Sequence, residues 1–218
     1  MAIQVDTRDC AALSDADLDE MASMGGAFDI GNVSKAKEDW VLSTCARNDG
    51  ELHGFMFSTL ERIGGTPCVL FGLVSVKRDD IREKVLNGLM HEAFHRALMA
   101  FPDEDVVIGS RFIYPDSLAA YALLTDLIPR HGHRAVGEER AWGRRLAKRF
   151  GVDAHYDEQA FVVAKNGQSG FLDYESNDRT DVDADVAALF ANVNPKKGGA
   201  LIVHGWSMAE DLLKIGAR

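Results

Sequence analysis

Of 218 residues only three are cysteine, Cys10, Cys45 and Cys68, and they stand far apart. An odd, scattered set makes neither a disulfide framework nor a paired metal site, and it fits a reducing compartment. Positive charge is also in short supply: 24 Lys and Arg face 34 Asp and Glu, for a formal net charge of -10. Such a surface disfavours sequence-independent binding to nucleic acid. No apolar run approaches the roughly 18 residues that a membrane span requires. No signal peptide precedes Asp6, and there is no internal repeat or low-complexity tract. The expectation is a soluble, cytoplasmic chain without a nucleic-acid or membrane partner, one domain with an appendage.

What is present centres on the stretch from Cys68 to Ala100. Cys68-Val-Leu-Phe-Gly-Leu-Val-Ser-Val76 is an apolar run rich in Val and Phe, the mark of a buried strand. A charged turn, Lys77-Arg-Asp-Asp80, leads into a helix over 81–100, with Ile81, Val85, Leu89, Ala93 and Ala97 on one face. A buried strand feeding a helix directly aims the helix's first free N–H groups at the strand's C-terminal edge, a setting that suits an anion.

Around this unit the pattern predicts a first strand at 2–6 and a helix opening at Ser14 and closing at Gly25-Gly26. It predicts a second helix over 34–47, then a hairpin of 52–63 and 68–76 turning at Gly64-Gly65. Downstream it predicts a strand at 106–113, a helix from Pro115 to Pro129 and a basic helix over 138–150 closed by Gly151. A short strand at 160–164 follows. Asp173, Glu175, Asp178, Asp181, Asp183 and Asp185 then stand against Arg179 alone, which reads as a solvated linker. A short helix (186–191), a strand (200–204) and a helix with Ser207 and Glu210 at capping-box spacing complete the chain. The expected division is a core over 1–168, a linker over 169–185 and a small extension over 186–218.

The order of these elements resembles the Gcn5-related N-acetyltransferase (GNAT) superfamily over roughly residues 2–165. The resemblance implies an α/β (α+β) fold with a mixed, mostly antiparallel sheet flanked by helices. It implies a strand that splays from its neighbour and holds the pantetheine of acetyl-CoA or another acyl-CoA, with the pyrophosphate on the following turn. The implied cofactor residues are Val74, Ser75, Val76, Arg78, Arg82, Lys84, Val85, Leu86, Asn87 and Gly88. The family's turn reads Arg or Gln-x-x-Gly-x-Gly or Ala; here it is Arg82-Glu-Lys-Val85-Leu-Asn87, with Gly88 one place late. Val85 in a glycine's place is expected to push a pyrophosphate away, while Arg78, Arg82 and Lys84 supply charge in compensation. Pro115 to Tyr121, followed by Arg130-His-Gly-His133, resembles the family's next helix and the segment after it. Tyr121 is thereby the candidate general acid for the leaving thiolate, with a core aromatic as the other reading. No acidic residue in 68–76 offers a general base, so an amine would lose its proton through water.

His91-Glu-Ala-Phe-His95 matches H-E-x-x-H, in which two histidines one turn apart ligate zinc and the glutamate activates water. Arg96 directly after it and the lack of a Gly-x-x-His continuation count against that reading. Cys68 reads as a core thiol, the 130–149 cluster as a charged helix face, and His204-Gly-Trp206 as either a binding corner or an anchor. The leading expectation is acyl transfer to an amine of a small molecule or a protein. Two alternatives stay open: a non-catalytic GNAT-like binding or oligomerisation module, with a homodimer among its forms, and a zinc hydrolase on His91, Glu92 and His95.

Overall fold

The computed structural model describes residues 3–24, 28–124, 126–165 and 182–216. Nine strands form one mixed sheet: β1 (Gln4–Asp9), β2 (Leu42–Asn48), β3 (Glu51–Ile63), β4 (Thr66–Val76), β5 (Val106–Phe112), β6 (Leu127–Ile128), β7 (Tyr156–Asp157), β8 (Val162–Val163) and β9 (Ala200–Ser207). The spatial order is β1-β2-β3-β4-β5-β9-β8-β7, with β6 also on β9. Every neighbouring pair is antiparallel except β4 and β5. Among the described residues six α-helices accompany it: α1 (Asp15–Ser23), α2 (Ile30–Asp39), α3 (Arg82–Ala100), α4 (Gly137–Arg149), α5 (Ala184–Leu189) and α6 (Ala209–Gly216). This is the mixed, mostly antiparallel α+β architecture that the resemblance implies. No described helix is long and apolar enough to cross a membrane.

Two apolar layers follow from the alternation of side chains along the strands. On one face α3 and α6 cover Val69, Phe71, Val74, Val106, Ile108, Leu201 and Val203. On the other, α1, α2 and α4 cover Cys68, Leu70, Leu73, Val107 and Ile202. The β3–β4 hairpin turns at Gly64 and Gly65, whose φ values of 60° and 89° suit glycine in a tight hairpin. α1 starts at Ser14 as expected, in a reciprocal cap with Asp17. The Gly25-Gly26 stop lies outside the described residues, as does most of the acidic stretch.

Several elements differ from their sequence expectation. The segment expected as a helix over 34–47 divides: α2 stops at Asp39, and Leu42–Asn48 is a strand with β1 on one side and β3 on the other. Small residues such as Ser43, Thr44, Cys45 and Ala46 carry no strong periodicity, and tertiary pairing decides their state. The expected helix from Pro115 is a 3-10 helix of Pro115–Tyr121 followed by β6. β9, placed by its sequence beyond a linker, sits inside the sheet and pairs with β5 from Val106↔Ser207 to Phe112↔Leu201. The last helix is capped by Asp105, which accepts from the Ala209 N–H at 2.9 Å, and not by Ser207.

Candidate functional site

The parallel pair at the centre of the sheet is short. β4 and β5 are in register only at Cys68↔Val107, Val69↔Ile108 and Leu70↔Gly109. β4 continues for six residues, Phe71 to Val76, bound to β3 on one edge and to no described strand on the other. β5 meanwhile continues to Phe112, bound to β9. The strands part at a bulge. Met56 pairs with Val74 and Ser58 with Phe71, so β4 takes three steps where β3 takes two. Phe71 and Val74 consequently both face α3, and the extra residue turns the strand away from β5. Gly72 sits in this bulge against Trp40; a Cβ there would lie 2.3 Å from the indole ring.

Three aromatic rings fill the apex of the resulting V. Tyr121 packs on Phe71 at 5.9 Å and on Phe112 at 5.1 Å between ring centroids. Phe71, Phe112 and Tyr121 are at most 1% exposed. Ser110 donates its hydroxyl proton to the Phe71 carbonyl at 3.1 Å, replacing the ladder bond that the parting strands give up. The Tyr121 hydroxyl lies close enough to Ser110 to feel it, yet forms no hydrogen bond of normal geometry. Burial pushes this phenol well above its ordinary pKa, so it holds its proton at any physiological pH. Beyond the apex, on the α1–α2–α4 side, the buried Arg111 guanidinium stacks over Phe150 at 4.8 Å.

The turn between β4 and α3 lies at the open end of the V. Val74, Ser75 and Val76 are buried, and the Ser75 hydroxyl has no hydrogen-bond partner. Ile81 caps α3 with no side-chain hydrogen bond of its own, and Glu83 lies in the first turn. Arg78 and Lys84 are exposed and Arg82 is half-buried. Of the acids that dilute them, Asp79 turns inward: its carboxylate holds His53 Nδ1 at 2.7 Å and the Ile81 N–H at 3.0 Å. Arg78, Arg82 and Lys84 share this end of the helix with Asp80 and Glu83.

Val85 does not stand where the sequence expectation put it. Its side chain is fully buried against Gly54 of β3, where a Cβ would meet Val85 Cγ1 at 2.6 Å. The methyls that were expected to repel a pyrophosphate are part of the core. Asn87 is exposed, Leu86 is half-buried, and Gly88 backs onto Val5 of β1, so it supplies no opening at the turn.

The H-E-x-x-H helix turn is occupied structurally. His91 Nδ1 meets the Ile215 carbonyl at 2.8 Å, joining α3 to α6. Glu92 is buried and accepts from Thr7 at 3.3 Å and from Arg96 at 2.9 Å. Among the described residues no three His, Cys, Asp or Glu side chains gather in a way that could hold a metal ion. Cys68 is a core thiol whose burial raises its pKa to about 11. Phe71, Ser110 and Phe112 escaped the sequence reading. The signal was present in Gly109-Ser110, a small and polar break inside an otherwise apolar strand.

No family model matches the sequence, and no curated protein matches it. Solved structures do. A GNAT-family acetyltransferase from Brucella melitensis, in complex with acetyl-CoA, is 19% identical over 48% of this chain and 75% of its own, with a TM-score of 0.35. Escherichia coli ElaA is 16% identical over 62% of this chain and 95% of its own, TM-score 0.40. The ribosomal-protein-S18-alanine N-acetyltransferase from Escherichia coli is 11% identical over 62% of this chain and 86% of its own, TM-score 0.36. The chain is thus similar to GNAT acetyltransferases in part of its fold; with TM-scores of 0.40 or below, the functional reading stands on the geometry of β4, β5 and Tyr121.

Proposed function

We propose that this chain is a divergent GNAT-type acyltransferase that binds acetyl-CoA or another acyl-CoA in the V between β4 and β5 and transfers the acyl group to an amine. One observation carries the reading: β4 and β5 are paired for three residues and then part at a bulge, leaving Phe71 to Val76 with an edge that pairs with no described strand and whose first carbonyl is taken by Ser110. An extended pantetheine arm can pair with that edge as a strand would. Its pyrophosphate then reaches the end of α3, where Arg78, Arg82 and Lys84 add charge to the helix's own N–H groups.

The chemistry asked of the chain is modest. A thioester is already activated; the amine attacks its carbonyl carbon, the C–S bond breaks, and the thiolate takes a proton. Tyr121 is protonated and lies at the apex, which supports it as the donor. In the conformation described here the three rings close the apex, so the arm's entry requires the turn at Pro115–Tyr121 to swing outward. No carboxylate lies on β4 between Cys68 and Val76, and the amine loses its proton to water.

The test is a calorimetric titration with acetyl-CoA, paired with release of free thiol in the presence of a panel of primary amines. Micromolar binding that Arg82→Glu weakens supports the reading; a folded protein that ignores acetyl-CoA removes it.

A further inference from the structure

An acyl-CoA in the cleft asks the end of α3 to receive an anion, yet one acid of the chain already reaches into that end. Asp79 Oδ1 accepts from the N–H of Ile81, the capping residue of α3, at 3.0 Å. A carboxylate in this position takes the positive end of the helix for itself. Its other oxygen, Oδ2, lies 2.7 Å from His53 Nδ1. An ionised carboxylate only accepts, so Nδ1 carries the proton and donates. Asp79 is thus held at two points, one at the helix end and one on β3.

A bulge places this imidazole. Pairing of β2 with β3 passes from Ala46↔Gly54 to Arg47↔Leu52, so β3 carries one residue more than β2 there, and that residue is His53. Such an insertion re-aims a side chain that regular alternation would send elsewhere. The His53 carbonyl accepts from the Lys77 N–H at 2.7 Å, which carries the β3–β4 ladder one step past Val76 and sets the turn beside the ring. The ring itself is buried. The other charges around it are Glu51, whose Oε2 lies 3.8 Å from Nε2, and Lys77, which pairs with Glu51. Glu51 is therefore occupied by Lys77, and the imidazole's hydrogen bond goes to Asp79.

We propose that His53 is a positioning residue for the anion end of the cleft, a role that rests on the acyl-CoA reading: it holds the Asp79 carboxylate against β3 and keeps it from covering the N–H groups in the first turn of α3. Without the imidazole, Oδ2 is free to accept from those N–H groups, the same donors that a pyrophosphate needs. Carboxylate and pyrophosphate then compete for one set of donors, and ligand affinity falls. His53 touches no ligand; it acts through Asp79.

The experiment titrates the full chain with acetyl-CoA by calorimetry at neutral pH, as wild type, His53→Phe, Asp79→Asn and the double variant, with thermal melts to establish that each is folded. Phenylalanine keeps a ring in the buried site and removes the donor; asparagine keeps an oxygen for the Ile81 N–H and removes the charge. His53→Ala replaces His53→Phe where the larger side chain does not fold. His53→Phe is expected to weaken binding by about twofold to fivefold. Asp79→Asn is expected to bind at least as tightly as wild type, and in the His53→Phe background to restore wild-type affinity. A merely structural role for His53 would give no such rescue, because a distorted end of β3 stays distorted when Asp79 loses its charge. Unchanged affinity in a folded His53 variant, a double variant as weak as the single one, or weaker binding by Asp79→Asn would overturn the proposal and leave the acyl-CoA reading standing, with Arg82→Glu still weakening the complex. A folded wild type that ignores acetyl-CoA removes both.

Discussion

Replacing Tyr121 by phenylalanine separates its two readings, because they differ in sign for stability and activity together. The ring would stay between Phe71 and Phe112, at 5.9 and 5.1 Å, so its packing is preserved. What is removed is a hydroxyl that is buried and without a hydrogen bond of normal geometry. Leaving such a group buried costs about 1–3 kcal/mol, so its removal is expected to stabilise the fold by about 1 kcal/mol. For a chain of this length that corresponds to a rise of roughly 2–4 °C in Tm. If the same hydroxyl protonates the leaving thiolate, turnover is expected to fall by about 10² to 10⁴ with acetyl-CoA affinity little changed. The assays are thermal melting and thiol release with an accepted amine. A lower Tm would show that the hydroxyl makes a native hydrogen bond, with Ser110 the nearest partner, and refute the packing argument. A higher Tm with full turnover would leave Tyr121 as a core aromatic only.

Other perturbations test neighbouring parts of the structure. Arg82→Glu, at a half-buried site in the first turn of α3, is expected to lower acetyl-CoA affinity by about tenfold or more by calorimetry. Gly72→Ala is expected to destabilise by about 1–3 kcal/mol in urea melts, because its Cβ would lie 2.3 Å from the Trp40 ring. His204 links stability to pH: its folded pKa of about 4 lies below the ordinary value of 6.5. The neutral ring therefore stabilises the fold fully above pH 6.5, and that contribution drains away between about pH 6.5 and 4 as the unfolded chain binds the proton first. The loss is on the order of 3 kcal/mol, and the stability of His204→Gln measured against wild type across that window is expected to lack it.

The strongest local signals in the sequence did place their elements. The β3–β4 hairpin, the Gly64-Gly65 turn, α3 and α4 all lie within a few residues of their expected bounds, because each has its own periodicity or turn chemistry. The segment from Leu42 to Asn48 lacked such a signal, since its strand character comes from partners on both edges. Likewise, Ala200–Ser207 is apolar enough to be a strand, but nothing local reveals that it belongs beside β5. The candidate site divides in the same way. The β4–α3 turn is contiguous and therefore visible, whereas the wedge of Phe71, Phe112 and Tyr121 joins residues up to fifty positions apart. Val85 shows the limit from the other side: its place in the motif was readable, but the direction of its side chain depended on Gly54, thirty-one residues upstream.

The most direct test of the acyl-CoA cleft is amide hydrogen exchange with and without acetyl-CoA. The edge of β4 that pairs with no described strand is the centre of the account, and a bound pantetheine arm would supply strand-like partners there. The expected result is added protection at Phe71–Val76 and in the first turn of α3, with altered exchange at Pro115–Tyr121 as the wedge yields. Acetyl-CoA that leaves these segments unchanged, or protects only some other surface, would contradict the cleft as the cofactor site.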